Sequence, residues 1–508
     1  MASFHDDMAA GYGFDGPVVR LGRPFDDPAA PDTAVEVAIP LRFLNRHGLI
    51  AGATGTGKTR TLQLIAEQVA AAGSPVFAAD MKGDLAGLGA AGASDERLAA
   101  RAGELGYDWA GAGAPVELLS LTGGDGVPLR TTVTEFGPLL LSKVLELNET
   151  QESSLGLIFR FCDEQGLALL DLEDLRAALA YLTGPGKTEL KALGGISSAT
   201  AGVLLRKVSQ LESEGGDVFF GEPAFEVGDL LRTAPDGRGI ISVLGLADVA
   251  RRPALFSTFL MWVLAELFEH LPEVGDPDRP TLVFFFDEAH LLFEGASKAF
   301  LDQVAQTVRL IRSKGVGVFF ITQLPTDVPD DVLSQLGHRV QHAVRAFTPR
   351  DARALKAAVE TFPTTEHYDL PETLQSLGVG EAVVTVLDPR GVPTPVAATR
   401  LYPPASRMTP LTPEERAAIV TASPIAARYA ERLDRESAAE LLEARAAGDA
   451  ARAEEVRSRP PATRTPRREP PSDDSLAAQV GDVLNSSVGR QVTREVVRGI
   501  FGMFRRRR

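Results

Sequence analysis

Gly48-Leu49-Ile50-Ala51-Gly52-Ala53-Thr54-Gly55-Thr56-Gly57-Lys58-Thr59 joins a short apolar run to a glycine loop that ends in Lys-Thr. Every fixed position of the phosphate-loop pattern is filled. The residues that follow, Thr61-Leu62-Gln63-Leu64-Ile65-Ala66-Glu67-Gln68-Val69, carry apolar side chains at helical spacing. A strand, a glycine loop and a helix in that order form a cradle for a triphosphate. Glycines let backbone N–H groups curl round the phosphates without interference from Cβ, and the helix start adds a favourable dipole. In this arrangement Gly52, Ala53, Thr54, Gly55, Thr56 and Gly57 wrap the phosphates, Lys58 reaches the terminal ones, and the Thr59 hydroxyl binds Mg²⁺. The stretch predicts a nucleoside triphosphate site.

A second buried strand is expected at Pro75-Val76-Phe77-Ala78-Ala79-Asp80, which completes a βαβ unit and with it a parallel sheet covered on both faces. Further strands are expected at Val116–Leu121 and Gly239–Leu244. The run Thr281-Leu282-Val283-Phe284-Phe285-Phe286 ends in Asp287-Glu288. An apolar strand that delivers two adjacent acids is the second half of a nucleotide site. Asp287 is placed to hold Mg²⁺ and Glu288 to orient or deprotonate the attacking water. The next strand, Gly315 to Thr322, ends at Gln323, whose uncharged amide can sense a terminal phosphate. A last core strand is expected at 339–347, with a closing hairpin at 381–401.

Between about 135 and 235 the spacing turns helical, which predicts an α-helical insertion. Inside it Gly184-Pro185-Gly186-Lys187-Thr188 imitates a second phosphate loop, but Tyr181 stands where the first glycine belongs and no buried strand precedes it. It reads as a turn. The domain plan is then a short leader over 1–40, an ATPase core over 41–402, charged helices and a disordered linker over 403–480, and a basic amphipathic helix over 481–508. That final helix is suited to docking a partner or its own oligomer.

Bulk properties set limits. With 508 residues, 44% of them hydrophobic and 24% charged, the composition is that of a soluble globular protein. A net charge of −16 argues against a surface that coats nucleic acid, though not against a local basic channel. The single cysteine, Cys162, excludes an internal disulfide and suits a reducing cytoplasm. No signal peptide or membrane-spanning run is visible, so the expected location is cytoplasmic. Asn45, Asn148 and Asn485 supply no guanine-reading motif, which favours ATP over GTP.

With these motifs in place the chain resembles the HerA/FtsK superfamily of P-loop ATPases, and within it the HerA-like ATPases of the YjgR type. The resemblance rests on Asn45-Arg46-His47 through Thr59, Asp80-Met81-Lys82-Gly83-Asp84-Leu85, Asp287-Glu288-Ala289-His290, Val308 to Gly315, Gln323, and Gln335 to His342. It covers about residues 40–400 and the terminal amphipathic segment. It implies a RecA-like, mostly parallel α/β sheet and a hexameric ring in which an arginine from the neighbouring subunit completes each site. By position Arg312 matches that finger, with Arg309 second. It also implies an ATP- and Mg²⁺-dependent DNA translocase or helicase. Only a short segment precedes the phosphate loop, so the N-terminal barrel of HerA and its nuclease partnership are not expected. The residues alone leave two other activities open, remodelling or transport of protein and slow regulatory nucleotide binding.

Overall fold

Along Leu282–Phe286 every residue is apolar and buried, and alternate side chains enter different cores. Leu282, Phe284 and Phe286 join one cluster, Val283 and Phe285 the other. That is the behaviour of a strand at the centre of a sheet covered on both sides. The computed structural model describes residues 3–192, 194–247, 253–294, 298–346 and 348–458. The chain divides into two compact units, Met1–Ala446 and Ala447–Arg508. Of the second, residues 447–458 are helical. The expected linker from Pro460 and the basic helix over 481–508 lie outside the described residues.

The first unit contains β1 (Val18–Pro24), β2 (Val37–Pro40), β3 (Gly48–Ala51), β4 (Val76–Asp80), β5 (Val116–Ser120), β6 (Val127–Pro128), β7 (Ile241–Gly245), β8 (Leu282–Phe286), β9 (Val316–Thr322), β10 (His338–His342), β11 (Glu381–Thr385) and β12 (Ala397–Leu401). They form a twelve-stranded sheet in the order β2-β1-β12-β11-β10-β3-β9-β8-β4-β7-β5-β6. From β10 to β6 all neighbours are parallel, and from β10 to β2 all are antiparallel. The mostly parallel α/β sheet expected from the sequence is present.

Each face has its own helices. The helix Lys58–Ala71 lays Leu62, Ile65, Ala66 and Val69 on the face that holds Ile50, Ala78 and Phe285. Against the other face lie the helices Pro253–His270 and Lys298–Ile311, together with the helical insertion. Phe77 stacks on Phe284 with centroids 4.4 Å apart, and Phe286 on Phe320 at 5.2 Å. Such pairs hold neighbouring strands in register beyond the backbone ladder.

Three local expectations change. The segment before the phosphate loop is more than a leader: the helix Phe4–Tyr12 and strands β1 and β2 extend the sheet, with Met8, Tyr12, Val19 and Leu21 buried. The strand expected over 339–347 stops at His342, because the backbone then turns to support the phosphate loop, Ala343 O accepting from Ala53 N at 2.9 Å. The helices after Tyr402 are not merely solvated. Tyr429 is fully buried, its hydroxyl donating to Asp229 Oδ2 at 2.7 Å and its carbonyl accepting from Arg130 Nη1 at 2.7 Å. Gly184–Gly186 is a turn, with Gly186 N donating to Tyr181 O at 2.8 Å, and Lys187 and Thr188 open the helix Lys187–Ala192 that follows the helix Leu172–Thr183.

Candidate active site

Four adjacent parallel strands, β3, β9, β8 and β4, release their chains at the same edge of the sheet. Carboxyl edges of parallel sheets are where ligands bind, because the loops there converge while the strands below stay rigid. After β3 comes the glycine loop, after β9 Gln323, after β8 Asp287 and Glu288, and after β4 the loop Asp80–Leu85.

The glycine loop has the backbone its residues allow. Gly52, Gly55 and Gly57 sit at φ 149°, 80° and 116°, a region that side chains disfavour. At Gly52 the space is closed as well, since a Cβ would lie 2.5 Å from Cβ of His342. The loop is braced at both ends. Gly52 N donates to Gln323 O at 3.1 Å, Ala53 N to Ala343 O, and Gly380 N to Thr56 O at 3.0 Å. Thr56 donates its hydroxyl to Ala53 O at 2.7 Å, while Thr54 and Gly55 stay exposed at the tip. Lys58 and Thr59 open the helix.

Lys58 is buried, and its Nζ donates to Gly52 O at 2.6 Å and Ala53 O at 3.2 Å. Burial pulls its pKa below the usual lysine value, and the negative charges of Glu288 and Asp287 act against that pull. Lysine and acid pair lie at the same carboxyl edge of the sheet, on the loops after β3 and β8. Asp287 is buried and is pushed up to about 7, by burial first and then by the charge of Glu288. Its Oδ1 accepts from Glu288 N at 3.0 Å, and its Oδ2 is buried without a hydrogen-bond partner. An orphaned carboxylate oxygen beside a phosphate loop is a poor protein–protein group but a fitting one for a hard cation. Among the described residues no cluster of three or more His, Cys, Asp or Glu side chains is placed to hold a metal. A cation here would rest on few protein ligands and on phosphate oxygens, the habit of Mg²⁺.

Glu288 adopts φ 50°, one of three non-glycine residues described in the left-handed region. Its Oε1 lies 2.7 Å from Lys82 Nζ and its Oε2 3.5 Å from His290 Nδ1. Gln323 stands at the end of β9, exposed between the glycine loop and the acid pair.

Arg312 is the candidate not brought to this edge. It follows the helix Lys298–Ile311 and precedes β9, so a full strand, roughly 20 Å, separates it from the carboxyl edge. There it pairs with Asp276, Nη2 to Oδ1 at 3.8 Å, beside Asn45, which donates to the same Asp276 Oδ1 at 3.1 Å. Arg46 Nη2 lies 3.6 Å from Asp276 Oδ2. The Asn45-Arg46-His47 string and Arg312 thus organise one another at the amino ends of the strands. Lys82, His290 and His342 border the site without having been assigned a part in it. All three lie in the motifs that carry the family resemblance, which gave none of them a role of its own.

A relative with a matching sequence is the DNA double-strand break repair helicase HerA of Sulfolobus acidocaldarius, 22% identical over 358 residues. The match takes in 69% of this chain and 64% of that protein, so the chain spans less than two thirds of its relative. Among solved structures, the bacterial conjugative coupling protein TrwBdeltaN70 in complex with sulphate shares the fold, with a TM-score of 0.50 at 16% identity. That match covers 79% of this chain and 99% of the other. The family described as Helicase HerA-like C-terminal matches residues 28–508, taking in β2 and the segment beyond Tyr402 that the sequence reading set apart. A phosphate loop after β3 and an acid pair after β8, flanking β9 at one edge of a RecA-like sheet, together with a family match over nearly the whole chain, place it in one family: the chain belongs to the family described as Helicase HerA-like C-terminal, of the HerA/FtsK type.

Proposed function

We propose that this chain is an ATP-hydrolysing motor that works as a hexameric ring on DNA, with Mg²⁺ as its cofactor. The observation that carries the reading is that the glycine loop with Lys58, Gln323 and the Asp287-Glu288 pair follow three neighbouring parallel strands, β3, β9 and β8, at one carboxyl edge of the sheet. Thr59 and Asp287 are the residues that would hold Mg²⁺, which supplies charge neutralisation between the β- and γ-phosphates. Lys58 exchanges its two backbone carbonyls for phosphate oxygens, which are stronger acceptors. Glu288 orients the attacking water and takes its proton on a carboxylate oxygen. Gln323, level with the loop, reads whether the terminal phosphate is present.

Arg312 acts in a neighbouring copy, since its own site is a strand length away and its side chain is half exposed. The HerA relative is a DNA double-strand break repair helicase, which supports DNA as the polymer. Among the described residues no helix is long and apolar enough to cross a membrane. The test is the ATPase rate with and without single- and double-stranded DNA, on material sized by light scattering. Stimulation by DNA supports the motor. Stimulation by protein alone would replace DNA with a polypeptide, and slow turnover indifferent to both would leave a regulatory nucleotide-binding protein.

A further inference from the structure

Lys82 is a cation in this cleft that the roles above leave unused. Its backbone is fixed and its side chain is not. The loop after β4 folds onto Asp80, whose Oδ1 accepts from Lys82 N at 3.1 Å and Gly83 N at 2.7 Å, and whose Oδ2 accepts from Leu85 N at 2.9 Å. From this pedestal the lysine stem projects with its side chain 48% exposed, and its ammonium ends 2.7 Å from Glu288 Oε1. The contact exists because β4 and β8 are neighbours, with Ala79 opposite Phe286.

Glu288 is held firmly in turn. Its backbone is in the left-handed region, and the next residue is tied to the adjoining strand by Ala289 N donating to Ile321 O at 2.8 Å. Its side chain is 16% exposed and its Oε2 is buried without a hydrogen-bond partner. A carboxylate that must receive water offers two oxygens, and here the ammonium occupies one.

The geometry points to Lys82 as a positioning residue that latches Glu288 until the terminal phosphate of a nucleoside triphosphate draws the ammonium away. The inference rests on the nucleotide reading of the site and deepens it. A phosphate dianion is a better partner for a mobile ammonium than one carboxylate oxygen. Lys82 is suited to the exchange: it is half exposed, with four rotatable carbons and three donors. Lys58, buried against backbone carbonyls, grips every nucleotide that has a β-phosphate, whereas Lys82 answers to the terminal one. A diphosphate leaves the latch closed.

The experiment measures binding of fluorescent ADP and of a non-hydrolysable ATP analogue, with Mg²⁺, to the full chain. The wild-type chain is expected to prefer the triphosphate. Lys82→Ala loses about tenfold of that preference, the scale of one charge-assisted hydrogen bond, and keeps its ADP affinity. Lys82→Arg retains most of the preference. Glu288→Gln, which removes the latch partner, binds the analogue more tightly than wild type, and adding Lys82→Ala to it reverses the gain. An unchanged preference in Lys82→Ala, or equal loss for both ligands, overturns the latch and leaves the site reading standing. A wild-type chain that bound neither nucleotide would overturn both.

Discussion

The Thr61 hydroxyl and Nε2 of His342 lie 2.9 Å apart in a buried contact that ties the helix after the phosphate loop to the end of β10. The same histidine closes the space beside Gly52. The loop is thus clamped from the strand next to its own, and its shape is a property of the sheet as much as of its glycines.

Gly52→Ala tests that clamp. The new methyl would meet His342 at 2.5 Å, with φ held at 149°. Strain of this kind costs about 1–3 kcal/mol. A thermal melt should show that loss together with weakened nucleotide binding; a fully stable variant with intact binding would mean the loop has room to shift.

Lys58→Ala and Glu288→Gln should separate binding from chemistry. In the wild type a bound nucleotide raises the melting temperature by mass action. Lys58→Ala should show no such rise. Glu288→Gln should keep it while kcat falls by about 10²–10⁴-fold, the usual contribution of a general base. Normal turnover in Glu288→Gln would remove that residue from the role of base.

Arg312→Ala distinguishes a finger from a surface ion pair. The contact with Asp276 is loose and half exposed, a type worth about 1 kcal/mol or less, so stability should barely change. Mixed in equal amounts with wild type, the variant should lower activity by more than dilution alone. Strictly proportional loss would assign the finger elsewhere, Arg309 being next along the helix.

Acid should weaken the fold through buried imidazoles. Burial holds His47 and His342 down to about 3 and His338 down to about 4, against an ordinary value of 6.5. The unfolded chain therefore binds more protons over that interval, so stability is complete above 6.5 and declines as pH falls toward 4. Each such group contributes ~1.4 kcal/mol per pH unit within its window. His338→Gln should flatten the fall of melting temperature between pH 6 and 4 relative to wild type. An unaltered slope would show that this histidine stays neutral without cost.

The parts of the site that are legible in the sequence are those that short-range chemistry dictates. Gly52, Gly55 and Gly57 announce themselves because their φ values all but require glycine, and Asp287-Glu288 because an apolar strand rarely ends in two acids without a use for them. Strand order is not written locally. The Lys82–Glu288 contact depends on β4 lying beside β8, and the place of Arg312 depends on which end of β9 faces the cleft. Residues 18–24 read as a leader because one partner strand, Ala397–Leu401, lies at the far end of the core and the other, Val37–Pro40, is only four residues long. Tyr429 was hidden in an Ala- and Arg-rich stretch, where one aromatic anchor leaves no periodic signature.

The two outermost strands, Val37–Pro40 and Val127–Pro128, are short and each ends in proline. Proline lacks the amide hydrogen that a further strand would need, so neither flank invites recruitment of another chain by backbone pairing. Copies of this protein that gather into a larger body would then rely on side chains of helices and loops rather than on a shared ladder. Such contacts can loosen and re-form with each turnover, where a continuous ladder would weld the copies together.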